Sequence, residues 1–455
     1  MRLTAVALAL LLSASAHAAW TTVPVDTAGG YYRGWWTSMA VAGDTVHVGY
    51  IAVKGTSPVR YGIWYARSTD LGLTWTIEPA DTDDYGTGQN LKGAFRGGLA
   101  LDPQGRPHMV YTIDAFPNSW CMHALRTGPG QWQHDTVESK TTSPVISYDA
   151  DVKFDAQGRL HTVYTYYGGV TRYAVLDSTG WHRNNLSPNC YGVALALDSS
   201  GGAHTALGTT NNELKYGYST DRGANWSIEQ IATNIWWHDD VCLAGGGKPV
   251  IAYTSPYDPH NQYRVAVRQG QNNWATYLVE STPDYNCRPA IYYYPPENAL
   301  YVSFYPYRLT NQLRLARSTD EGASWSAETV TSVNWVNGSA ACPDFVRTPA
   351  GRFVAYQSDG YKLSFACDLA AAVLEPERAP LSRLRLYPNP ARFATRVEGP
   401  GLGPGERVSV LDASGRVVAG STALSGWCEL DLRGLREGVY FCRADGAAAK
   451  FEIQR

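Results

Sequence analysis

The stretch RSTDEGASW at residues 317–325 has close copies in RSTDLGLTW at 67–75 and YSTDRGANW at 218–226. Each reads as a tight turn. Asp70, Asp221 and Asp320 can accept hydrogen bonds from the N–H groups of their own turn, and Gly72, Gly223 and Gly322 permit a left-handed backbone. The tryptophan that closes each copy can cover the hairpin with a large apolar surface. Turn chemistry accounts for these aspartates, so the phrase marks a structural unit written several times.

Looking outward from these turns, a longer repeat emerges. LALDPQGRPHMVYT (99–112) overlays VKFDAQGRLHTVYT (152–165) and LALDSSGGAHTALG (195–208). The pattern returns at 39–50, 241–254, 291–305 and 345–357, which makes seven units. Each is an apolar strand, a tight turn and an alternating strand, the signature of a β-hairpin. A third strand, a turn ending in Trp75, Trp132, Trp181, Trp226, Trp274 or Trp325, and a fourth strand follow all but the last hairpin. The seventh unit stops after its third strand, YKLSFACDL (361–369), while an unmatched fourth strand, WTTVPVDT (20–27), opens the chain. This predicts an all-β fold: a seven-bladed β-propeller over 19–370, closed by its N-terminal strand, in which no long sheet edge is left unpaired.

Composition agrees with that class. The 455 residues are 44% hydrophobic and 17% charged, with 30 Tyr, 15 Trp and 44 Gly, a balance that favours strands and turns over helices. A net charge of −3 gives no electrostatic footprint for nucleic acid or an anionic membrane. Residues 1–18, with Arg2, an apolar run from Ala5 to Leu12 and small residues at 16 and 18, read as a secretory signal peptide. The eight cysteines would then meet an oxidising compartment.

The S-x-D-x-G-x-x-W phrase resembles the BNR/Asp-box repeat of sialidases and other secreted propellers. The resemblance implies boxes on the outer rim, away from the central site. His47, His108, His161 and His204 recur at one position of four separate units, which favours a hydrogen-bonded role over zinc. With no H-E-x-x-H or C-x-x-C pair, neither metal nor cofactor is expected.

Chemistry is expected where the innermost strands meet. The residues placed just before those strands are Thr37, Gly98, Asp151, Ala194, Asp240, Ile291 and Asp344, so three carboxylates from three units converge. Around them stand Arg33, Trp36, Arg96, Tyr191, Trp237, His238, Asp239 and Arg288. Aromatic rings interleaved with Asn, Asp and Arg suit a sugar, whose C–H face stacks on a ring while its hydroxyls take hydrogen bonds. In a sialidase-like hydrolase, Arg33, Arg96 and Arg288 would clamp a carboxylate, Asp151 or Asp240 would be the acid and Tyr191 the nucleophile. Trp36, Trp237, His238, Asp239 and Asp344 would line the substrate. YYRGWW (31–36) stands where that family carries F/Y-R-I-P, and seven units exceed its six blades. Another glycosidase could use two of the aspartates as acid and base, and a binding protein without turnover fits the same aromatic mouth.

After a linker at 371–380, residues 381–455 alternate like a small β-sandwich. YPNP (387–390), VSVLDASGRVV (408–418) and REGVYFCR (436–443) resemble the type IX secretion sorting domain, which is similar to FlgD-like Ig modules. The resemblance implies the type IX machinery as partner, with release or attachment at the outer surface. Cys428 with Cys442, and Cys342 with Cys367, are candidate bridges that spacing does not decide. The sum is an exported, monomeric, glycan-active propeller, read first as a sialidase-related glycoside hydrolase acting on extracellular carbohydrate, with a lectin- or adhesin-type binder as the alternative.

Overall fold

The computed structural model describes residues 20–369 except 29–30, 55–59, 83–93, 116–117, 144, 168–169, 237–238, 258–259, 283–286, 306–311 and 334–341. It also describes 385–454 except 388–389, 399–404, 406, 413–415, 425–426 and 445–446. The leader 1–18 and the linker 371–380 lie outside the described residues. The chain divides into two compact units, with the boundary between Leu369 and Ala370.

Among the described residues of the first unit there is no α-helix, and its strands form seven four-stranded antiparallel sheets. Six are consecutive meanders, the first being Tyr31–Ala42, Thr45–Lys54, Arg60–Ser68 and Thr76–Asp81. The seventh joins the two ends of the unit: Asp344–Thr348, Gly351–Ser358 and Lys362–Leu369 take Thr21–Asp26 as their fourth strand, with Thr21 opposite Cys367. The first strands of the sheets neighbour one another in chain order, and that of the seventh lies against Tyr31–Ala42 of the first. Phe353, Phe365 and Cys367 of the seventh sheet accordingly share a core with Val46, Val48 and Tyr50 of the first.

The turns explain how each sheet is fastened to the one before. In the three S-x-D-x-G-x-x-W copies the serine hydroxyl donates to the aspartate and accepts the glycine N–H, as in Ser68 to Asp70 (2.6 Å) and Gly72 to Ser68 (2.8 Å). The tryptophan N–H donates to that glycine's carbonyl, at 2.9 Å for Trp75, 3.0 Å for Trp226 and 2.8 Å for Trp325. Its ring reaches beyond its own hairpin: Trp75 meets Phe365 of the seventh sheet edge-on at 5.1 Å, and Trp226 meets Tyr173 of the third at 5.2 Å. A Cβ on Gly72 would lie 2.0 Å from the Phe365 ring, so the glycine also serves this contact. In the three degenerate turns the tryptophan N–H goes to a carboxylate of the preceding sheet instead. Trp132 donates to Glu78 (3.0 Å), Trp181 to Asp135 (3.3 Å) and Trp274 to Glu229 (2.8 Å). Where the box is lost, an inter-sheet acceptor takes over the indole.

The histidines are held by hydrogen bonds inside their sheets. His47 and His204 each meet a tyrosine hydroxyl at 2.6 Å, His161 meets Tyr173, and His108 meets His123 at 2.8 Å. Burial lowers His47 and His108 to about 4.

The second unit has two sheets in its described residues, one of Arg385–Tyr387, Ala394–Glu398 and Trp427–Asp431, the other of Arg407–Leu411, Val417–Thr422, Gly438–Ala444 and Ala447–Ile453. Alternate residues of both face one core.

Candidate functional site

A cavity of about 560 Å³ is lined by the first strands of all seven sheets. Trp36, Asp151, Lys153, Asp240, Arg288 and Asp344 bring it polar and aromatic character.

The three expected carboxylates are here, and each joins two sheets. Asp151 accepts the N–H of Leu195 in the fourth sheet (2.9 Å), Asp240 that of Ile291 in the sixth (2.8 Å) and Asp344 that of Met39 in the first (2.6 Å). The second oxygen of each accepts the N–H of the following residue, at 2.7 Å for Val152, 2.9 Å for Val241 and 2.8 Å for Phe345. Ser38 does the same from the first sheet, its hydroxyl accepting the Leu99 N–H at 2.9 Å. These bonds correct the sequence alignment by one residue at two places, since Ser38 and Ala290, not Thr37 and Ile291, match the aspartates. Acceptors therefore stand on the first, third, fifth and seventh sheets, and Gly98, Ala194 and Ala290 on the sheets between. Gly98 has to be small, because a Cβ would lie 2.7 Å from the Val152 nitrogen and 2.9 Å from Asp151 Oδ1.

A lysine serves these acids. Lys153 Nζ lies 2.8 Å from Asp151 Oδ1. Burial opposes its charge, yet Asp151, Asp240 and Asp344 together hold its pKa above the usual lysine value. Burial raises Asp240 to about 7, helped by the Asp151 charge and opposed by the Ile291 N–H and Lys153. Burial likewise raises Asp344 to about 6, against the N–H groups of Met39 and Phe345. Lys153 was not singled out in the sequence. Its alternation with Asp151 on one strand was the available signal.

Arg288 reaches from the approach to the sixth sheet to the third and fourth. Its Nη1 lies 3.6 Å from Asp149 Oδ2, and its Nη2 donates to the Val193 carbonyl at 3.2 Å. Asp149 is buried and also accepts the Val193 N–H at 2.9 Å. Trp36 lies within the second register shift of its strand, between Trp35 and Ser38, at φ 50°, a left-handed conformation that is costly for a tryptophan. That bulge places Trp36 on the cavity wall.

Other expected residues are placed elsewhere. Arg33 is buried, ion-paired with Asp26, and lies 4.9 Å from the centre of the Trp64 ring. The same bulged strand turns it into the sheet interior, so the expected clamp through Arg33 is not formed. Asp239 is buried and alternates with Asp240, which sends it away from the cavity. Tyr191 is half-buried on Cys190–Leu197 and is not part of the cavity wall. Trp237 and His238, and the Arg96 side chain, lie outside the described residues. Cys342 and Cys367 are separated by the intervening strand Gly351–Ser358, too far across a sheet for a disulfide, so that expected bridge is not met.

Residues 385–453 match the family model described as a secretion system C-terminal sorting domain. The chain thus carries the export signal of the type IX system, which directs a protein to the cell surface or the medium. No curated protein matches the chain significantly. Among solved structures, one described as a new family of polysaccharide lyase, PL25 ulvan lyase, is 14% identical over 73% of this chain and 94% of its own, with a TM-score of 0.51. The same lyase bound to -[GlcA(1-4)Rha3S]- is 14% identical over 73% and 94%, with a TM-score of 0.49. A leech intramolecular trans-sialidase is 12% identical over 75% of this chain and 69% of its own, at 0.43. At such identities the likeness bears on the fold alone.

Proposed function

We propose that residues 19–370 are a closed seven-bladed propeller of the BNR/Asp-box kind that binds an acidic extracellular carbohydrate at the mouth of its central cavity. Residues 381–455, an FlgD/Ig-like sandwich, then deliver it through the type IX machinery as a monomer, after a signal peptide at 1–18. Ring closure is supported by the N-terminal strand in the seventh sheet and by the contact of that sheet with the first.

The observation that carries the binding reading is a cavity of about 560 Å³ with the Trp36 indole and the Arg288 guanidinium both on its wall. That volume lies in the range of small-molecule sites. A sugar ring stacks on the indole and its carboxylate meets the guanidinium. The fold-level likeness to a polysaccharide lyase agrees with a carbohydrate ligand. Binding without turnover is favoured over catalysis because both oxygens of Asp151, Asp240 and Asp344 already accept backbone N–H groups.

Hydrolysis is the second reading, and the raised pKa values of Asp240 and Asp344 favour it, since an acid near neutrality can protonate a leaving group. Incubating the full chain with a panel of uronate- and sialate-bearing glycans tests the two together. Retention of a glycan with no new reducing or unsaturated ends supports binding. Release of products that is abolished in Asp240→Asn supports hydrolysis, and the absence of both retention and release overturns the proposal.

A further inference from the structure

The cysteines of the sorting unit carry an inference that neither the sorting role nor carbohydrate binding requires. Cys428 lies on Trp427–Asp431 and Cys442 on Gly438–Ala444, strands that belong to different sheets of the sandwich. Burial alternates along both strands, and both cysteines are on the buried side, at 1% and 0% exposure. They share one core cluster with Val397, the strand partner of Cys428, and Val410, the strand partner of Cys442. Both are free thiols in the structure and face one core from opposite sheets. Burial, and after it the neighbouring Cys428, push the Cys442 thiol up to about 12, and burial raises Cys428 as well.

We propose that Cys428 and Cys442 form a disulfide that ties the two sheets of the sorting unit together. The bond forms by exchange with a small disulfide oxidant. The Cys428 and Cys442 thiols lose two protons and two electrons to become one S–S bond, and the oxidant's disulfide is reduced to two thiols. A unit of some 70 residues (385–453) buries too little apolar surface to be strongly stable alone, which is the size at which a cross-link matters most. With both thiols buried and rarely ionised, exchange is slow in the folded protein, so the bond belongs to the folding step.

The proposal leans on export only for the oxidising compartment, and its test does not need export. The full chain is denatured, reduced, refolded in a buffer of oxidised and reduced glutathione, then unfolded without reductant, alkylated and digested with trypsin. Arg416, Arg433, Arg436 and Arg443 place the two cysteines in separate peptides, 417–433 and 437–443. A linked pair of these peptides, two mass units lighter than their sum and split by reductant, is the expected result. Alkylation of both cysteines, or linkage of either to another cysteine, would overturn it. A Cys428→Val/Cys442→Ala variant keeps the core filled. Its sorting-unit transition should match that of the reduced wild type and fall roughly 10–20 °C below the oxidised one. Equal transitions in all three would contradict a structural bond.

Discussion

Asp240 shows how one residue can serve the fold and still carry the electrostatics of an acid poised near neutrality. Its carboxyl receives a backbone N–H from the sixth sheet and one from its own strand, yet burial still raises it to about 7. A group whose folded pKa exceeds its unfolded value favours the fold at low pH, and the gain is lost as pH rises through the folded value. For Asp240 the window runs from its ordinary 3.8 to about 7. His47 and His108, lowered to about 4, act in the opposite direction between 6.5 and 4, so the test must isolate one group. Comparing melting temperatures of wild type and Asp240→Asn at pH 5 and pH 8 does so. The wild type should gain on the variant by roughly a few degrees at the lower pH, and a difference independent of pH would refute the assignment. Glu229 offers a second residue-scale test. It is buried and accepts from both Arg268 (2.6 Å) and Trp274 (2.8 Å). Glu229→Ala strands both donors and should cost about 2–4 kcal/mol in denaturant unfolding, well beyond a surface substitution.

At the scale of elements, the decisive piece is Thr21–Asp26, which supplies the outer strand of the seventh sheet. Removing residues 20–26 exposes the edge of Lys362–Leu369 and takes Asp26 from its partners Arg33 and Tyr50. The truncated chain should aggregate or unfold without a single cooperative transition, as seen by light scattering and calorimetry. A cooperative, monodisperse product with the native melting temperature would show that the strand is dispensable. This pairing was legible in the sequence because a strand missing at one end of the chain matched a spare strand at the other. So were the turns, since S-x-D-x-G-x-x-W specifies its own hydrogen bonds. What escaped was anything set between sheets. The reach of Trp75 to Phe365, the inward turn of Arg33 and the one-residue shift at Ser38 and Ala290 all depend on bulges and on neighbours far away in sequence.

For the whole molecule, a sorting signal accompanies seven four-stranded sheets whose first strands line a polar and aromatic cavity. The residues that meet there were partly foreseen: Asp151, Asp240, Asp344, Trp36 and Arg288 line it, whereas Arg33, Asp239 and Tyr191 do not. Side-chain direction within a bulged strand decides the difference, and sequence spacing carries little of that information. The aspartates tie neighbouring sheets together, and in the proposed binding mode recognition falls to the indole and the guanidinium. The most direct measurement is calorimetric titration of an acidic oligosaccharide into the full chain, Trp36→Ala, Arg288→Ala and Asp240→Asn. Affinity should fall about tenfold or more in the first two variants and stay within about threefold of wild type in Asp240→Asn. Wild-type affinity in both Trp36→Ala and Arg288→Ala would contradict a carbohydrate site at this cavity.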